Sequence, residues 1–153
     1  MSENIRVVEA TPEQVWRVLA DGWLYPLWVV GATRMREVDE HWPAVGARLY
    51  HSVGAWPLVT DDHTEVLAST SRSLLRLRAR AWPSGEAQVE LRLEPAEGGT
   101  RITMVEDAVS GPGRLVPSPL RQPQLAWRNR ESLRRLAFIV ERREGGAGAP
   151  GLA

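Results

Sequence analysis

Three side chains in this sequence could do acid–base chemistry together: His51, Asp62 and Glu106. An imidazole beside a carboxylate can hold or move a proton near neutral pH. A carboxyl group set in an apolar wall is held toward its protonated form and can act as an acid. These are the candidate catalytic residues, and they matter only if the strands that carry them turn them to one side. Alternation of residue types suggests how. In "HSVGAWPLVTDDHTEVL", reversal about "GAWP" pairs Val53 with Leu58 and His51 with Thr60, leaving His51 and Asp62 diagonal neighbours on an inward face. A bulge near Asp61-Asp62 would break this register, and "DDHT" is a suitable place for one. In "SLLRLRARAWPSGEAQVELRL", Leu75, Leu77 and Ala79 share a face opposite to Arg76, Arg78 and Arg80. Pairing Leu77 with Leu91 and Leu75 with Leu93 keeps the apolar sets together. Leu93 then meets Ile102, Leu91 meets Met104, and Glu106 falls opposite Val89. The inner wall is thus Leu, Val, Met and Ala, with His51, Thr60, Asp62, Thr64 and Glu106 as its polar candidates.

A second set of candidates lies in "QLAWRNRESLRRLAFIVERR". At helical spacing Leu125, Leu133, Leu136 and Val140 make one face, with Asn129 near its middle, Ser132 at its edge and Arg128 flanking it. A buried asparagine needs partners from the sheet, from water or from a ligand. Glu106 has two readings besides catalysis, a solvent-facing strand end or a partner for Arg128. His51 has a structural reading too, as a satisfied core histidine or a partner of Asp62. The expected ligand wall is Leu49, His51, Leu77, Leu91, Met104 and Glu106 from strands, with Leu125, Asn129 and Leu133 from the helix, and Trp28 closing it.

The elements that must position these residues follow from turn and cap signals. Asn4 to Glu9 reads as a strand. "TPEQVWRVLA" opens a helix, with Thr11 as cap, Pro12 at the first helical position and Gln14 where a capping box needs it. Asp21-Gly22 stops it, and Trp23 to Val30 reads as a second short helix distorted by Pro26. Strands follow at about Thr33–Asp39, Ala47–Val53, Leu58–Leu67, Ser73–Ala81, Ala87–Glu94 and Thr100–Glu106, separated by short turns, which makes an antiparallel meander. After the Gly/Pro-rich "SGPGRLVPSPLRQP" one long helix runs from Gln124 to about Arg143. Residues 1–144 make a single domain, and 145–153 a disordered tail. The fold class is α+β, a strongly curved seven-stranded sheet around the long helix, with a cavity between them and the two short helices bridging the open side.

Composition excludes several classes. With no cysteine there is no disulfide framework, thiolate nucleophile or Cys-ligated metal. His41, His51 and His63 sit on diverging strand positions and make no metal site, and no cofactor motif is present. All 19 basic residues are arginine, balanced by 19 acids and spread along the chain, so no nucleic-acid footprint stands out. "RLRAR" alternates and reads as the solvent face of a strand. The uncharged "WLYPLWVVGA" is too short and interrupted to span a membrane, which takes about 20 apolar residues. It must pack on protein or on an enclosed ligand, with Trp28 and Val29 toward the long helix and Trp23 nearer the surface. With no apolar signal core at the start, a cytoplasmic location is expected. A homodimer is left open.

This element order, with "WLYPLWVVGATRMREVD", "PAVGARLYHSVGAWPLVTDDHTEVL" and "WRNRESLRRLAFIVE", resembles the polyketide cyclase/dehydrase and lipid-transport family. That family belongs to the START-like (SRPBCC) helix-grip superfamily, which also holds the Bet v 1 allergens. The resemblance spans about residues 3–143 and implies a helix-grip fold and a hydrophobic small-molecule ligand. It transfers no catalytic residue. Three functions follow in order: binding of a lipid or polyketide-like molecule, an aromatic polyketide cyclase or dehydratase acting in the same cavity, and an interaction module like the chaperone-activating relatives. The first rests on an apolar inner wall with few polar groups. It is also supported by the Trp-Pro turns Trp56-Pro57 and Trp82-Pro83, expected at one end of the sheet around an opening.

Overall fold

The computed structural model describes residues 2–53, 57, 59–81 and 85–147. Its elements are β1 (Ser2–Val8), α1 (Pro12–Leu19), a 3-10 turn (Gly22–Leu24), α2 (Tyr25–Trp28), β2 (Ala32–Val38), β3 (Arg48–Val53), β4 (Thr60–Thr70), β5 (Leu74–Ala81), β6 (Gly85–Ala96), β7 (Gly99–Ser110), a second 3-10 turn (Pro112–Leu115) and α3 (Ser118–Ala147). The seven strands form one antiparallel sheet in the order β1-β7-β6-β5-β4-β3-β2. This is the expected helix-grip arrangement, a curved sheet closed around a long C-terminal helix.

Local chemistry explains the start of the chain. Thr11 Oγ1 accepts from the Gln14 backbone N–H, and Gln14 Oε1 accepts from the Thr11 N–H, a reciprocal capping box. Val15, Val18 and Leu19 then turn into the core. Asp21 caps the 3-10 turn by accepting from the Trp23 N–H, and Pro26 starts α2 afresh at one of its first positions. The single distorted helix expected over Trp23–Val30 is therefore two short pieces. They present Tyr25 and Trp28 inward and leave Trp23 and Leu27 exposed. Gly22 allows this close approach, because a Cβ there would lie 2.5 Å from Leu49 Cδ2.

Two strand pairings differ from expectation by two residues. Leu75 faces Leu91 and Leu77 faces Val89, whereas Leu93–Ile102, Leu91–Met104 and Val89–Glu106 pair as expected. The β5–β6 ladder zips up to Ala81–Gly85, and Gly85 has φ +106°, a conformation that lets the chain reverse this tightly. Between β3 and β4 the ladder stops at Val53–Thr60, so His51 faces Asp62 directly. Leu58, the expected partner of Val53, lies outside the described residues. The β3–β4 register runs without a break past Asp61 and Asp62, and the irregularity in β4 falls later, between Val66 and Ala68. A slip of two residues keeps every side chain on its own face, so the inward set survives both changes.

The outer face carries the arginines of "RLRAR" against acids. Arg76 Nη2 lies 2.6 Å from Glu90 Oε2, and Arg80 Nε lies 3.5 Å from Glu86 Oε1. On the helix, Leu133, Leu136, Ala137 and Val140 are buried against the sheet. The helix begins at Ser118, six residues ahead of the expected Gln124, despite Pro123 inside it. Pro123, the sixth residue of the helix, removes one i→i−4 bond, the one to the carbonyl of Pro119. Arg121 ties that first turn down, its Nη1 donating to the carbonyls of Arg114 and Val116 and its Nη2 to Asp107 at 2.9 Å. The helix continues to Ala147, past the expected boundary at residue 144, and 148–153 lie outside the described residues.

Candidate functional site

The site is an emptiness with a cause in the strand registers. One cross-strand row is Leu75, Leu91 and Met104, and the next is Val66, Leu77, Val89 and Glu106. The row after that is Thr64, Ala79, Ala87 and Ala108. Side-chain volume falls sharply at this alanine row while the strands keep their course. Opposite it stands the first half of α3, with Leu125, Arg128, Asn129 and Ser132, and across the end lies α2 with Tyr25 and Trp28. The result is a cavity of 310 Å³ between sheet and helices. The alanine row escaped the sequence reading because the expected pairing set Ala79 against Val89.

Of the residues expected on the cavity wall, Trp28, His51, Leu77, Met104, Glu106, Leu125 and Asn129 line it. Leu49, Leu91 and Leu133 do not. They are corrected to core residues, at 0%, 0% and 2% exposure. Leu49 is covered by Gly22, Leu91 sits in the bulky row beside Leu75 and Met104, and Leu133 lies beyond Ser132 where α3 meets the sheet closely. Asp62 is drawn away from the cavity. Its Oδ1 accepts from the His63 backbone N–H at 3.0 Å and lies 3.8 Å from Nε of Arg80, near the end of β5. Trp56, Trp82 and Pro83, expected around the opening, lie outside the described residues.

Two polar groupings face the space. In the first, Tyr25 Oη lies 3.2 Å from Thr64 Oγ1, which lies 2.7 Å from His51 Nε2. The Tyr25 ring also stacks on the imidazole, centroids 5.4 Å apart. His51 is 2% exposed, and its Nδ1 has no hydrogen-bond partner. Burial lowers its pKa to about 4, against the opposing pull of Asp62, so the ring is neutral at pH 7. Burial likewise raises the Tyr25 phenol to about 12. In the second grouping, Glu106 is 4% exposed and is hydrogen-bonded to Arg128 Nη2. Burial pushes its pKa up, while Arg128 and the nearby Asn129 amide pull it down. Asn129 is 1% exposed; its Nδ2 leans toward Glu106 but has no partner of normal geometry. Of the two non-catalytic readings of Glu106, the pairing with Arg128 is the one found.

Tyr25 is a cavity-lining residue that the sequence reading missed. Its signal was a lone phenol in an uncharged stretch, three residues before Trp28. Ser132 Oγ accepts from the Val30 N–H at 3.2 Å and so fastens the end of α2 to α3 over the cavity. Among the described residues, no group of His, Asp and Glu is arranged to hold a metal, and no helix is long and apolar enough to cross a membrane.

Solved structures share this architecture. A protein from Rhodobacter sphaeroides is 26% identical and superposes with a TM-score of 0.67, over 91% of this chain and 90% of that one. Ara h 8.0201 is 15% identical with a TM-score of 0.69, over 90% and 95% of the two chains. The di-domain ARO/CYC StfQ of the steffimycin biosynthetic pathway is 12% identical with a TM-score of 0.73, over 94% of this chain and 51% of that one. No curated protein matches the sequence. The family model described as polyketide cyclase / dehydrase and lipid transport matches residues 2–141, and the chain belongs to that family.

Proposed function

We propose that this protein binds a hydrophobic small molecule, lipid or polyketide-like, in the cavity between the sheet and α3. The observation that carries the reading is the alanine row, which leaves 310 Å³ of largely apolar-walled space where neighbouring rows fill it. That volume lies at the lower end of ligand pockets, about 300–1,000 Å³. Its polar groups are few and sit on strands and helices, as orientation by a rigid scaffold requires. The test is titration of N-phenyl-1-naphthylamine, whose fluorescence rises in apolar surroundings. Saturable one-to-one binding is expected, with His51→Ala and Glu106→Gln within a few-fold of wild type. Failure of the probe and of fatty acids to bind would sink the proposal.

One observation favours a second reading, a cyclase or dehydratase acting in the same space. A neutral imidazole and a carboxyl of raised pKa face one cavity, and such a pair can divide base and acid roles. Unchanged probe binding in His51→Ala and Glu106→Gln, with loss of turnover on a polyketone substrate, would put this reading first.

A further inference from the structure

Two buried polar groups in the cavity have unspent hydrogen-bonding capacity, and its sign can be worked out. Among the described residues Tyr25 Oη has Thr64 Oγ1 as its hydrogen-bond partner, and Thr64 Oγ1 bridges it to His51 Nε2. The phenol is the strongest acid of the three, with an ordinary pKa of about 10, and the bare imidazole nitrogen is the strongest acceptor. The chain is therefore most stable when Tyr25 O–H donates to Thr64 and Thr64 O–H donates to His51 Nε2. A neutral imidazole that accepts at Nε2 must hold its proton at Nδ1. That N–H is the atom with no partner.

Asn129 offers the second donor. Its Nδ2 has two hydrogens, and Glu106 can take one at most, so one or both remain. His51 and Asn129 reach the same cavity from the sheet and from α3. A buried donor left without an acceptor is costly, so a ligand that supplies the acceptor recovers that cost.

We propose that His51 Nδ1–H and Asn129 Nδ2–H are the polar readers of the cavity, selecting apolar molecules that carry a carbonyl oxygen, with Tyr25 and Thr64 as positioning residues that set the imidazole tautomer. This rests on the binding function proposed above and adds the chemical class. A ligand hydroxyl is a poorer match, since it brings a further hydrogen to a place already supplied with donors.

The test uses three-ring compounds of one shape: fluorene, 9-fluorenone and 9-hydroxyfluorene, followed by quenching of tryptophan fluorescence. Fluorenone is expected to bind about ten-fold tighter than fluorene, as one good hydrogen bond allows. Asn129→Leu and His51→Phe should each cut that ratio to about three-fold or less while fluorene still binds. Nitrogen-15 NMR of histidine-labelled protein gives an independent readout, with His51 expected as the Nδ1–H form and Tyr25→Phe expected to restore the Nε2–H form. Equal affinity of fluorene and fluorenone would overturn the assignment and leave the cavity reading standing. Preference for 9-hydroxyfluorene, or an Nε2–H tautomer in the wild type, would overturn it as well. Binding of none of the three would overturn both the assignment and the reading beneath it.

Discussion

At the scale of residues, the protonation of His51 links the cavity to stability. Its pKa in the folded chain is about 4, below the ordinary 6.5 that it regains on unfolding. Between those values the unfolded chain binds the proton and the native chain does not, so stability falls as pH drops from 6.5 toward 4. The full shift corresponds to roughly 3 kcal/mol. His63 is lowered by burial and adds in the same sense, whereas the raised Glu106 acts oppositely, losing stability as pH rises through its folded value. Subtracting the urea-unfolding curves of His51→Phe from those of wild type between pH 7 and pH 4 isolates the histidine. The difference should shrink with falling pH. A flat difference would mean that the imidazole is wet and protonates freely in the native state. That His51 and Glu106 would face inward was readable from alternation alone. The pairing of Glu106 with Arg128 was readable as well, but the partners of His51 were not, because a contact such as Tyr25 with Thr64 joins residues whose proximity no local pattern encodes.

At the scale of elements, short pieces of structure set the cavity's boundaries. α2 is one turn long, too short to be stable alone, and is held by what Tyr25 and Trp28 bury and by the bond from the Val30 N–H to Ser132 Oγ. Ser132→Ala removes that acceptor and should cost about 1 kcal/mol. Because the bond spans from α2 to α3 over the cavity, its loss should also speed probe association and dissociation together, with Kd nearly unchanged. Stopped-flow fluorescence would show this, and unaltered rates would mean that ligands enter elsewhere. A stiffer constraint holds at Gly22, where Gly22→Ala would press a methyl on Leu49 and on Val38 Cγ1, 2.5 and 2.7 Å away. A loss of about 1–3 kcal/mol is expected by thermal unfolding. Element identity was legible here, since the capping box, the Asp-Gly stop and Pro26 all act locally. Register was legible less fully. A slip of two residues keeps the same face, so alternation cannot detect it, and the turn geometry that decides it depends on backbone angles such as that of Gly85.

At the scale of the whole molecule, a space kept open between sheet and helix is stability forgone for binding. The same substitution at two places separates an open cavity from a filled core. Ala87→Leu would add three carbons where the alanine row leaves room, each buried carbon worth about 0.8 kcal/mol before side-chain entropy is charged. A net gain of about 1 kcal/mol is expected, which for a chain of this length raises Tm by about 2–4 °C. Probe affinity should fall more than about ten-fold, since the added group occupies the ligand's place. Ala137→Leu adds the same atoms at a position 1% exposed, where α3 already meets packed side chains. There the outcome should reverse, with a loss of about 1–3 kcal/mol and little change in probe affinity. Calorimetric melting of the two variants beside wild type reads both signs. If Ala87→Leu destabilises as Ala137→Leu does, the helix has settled onto the alanine row in solution and the cavity is closed.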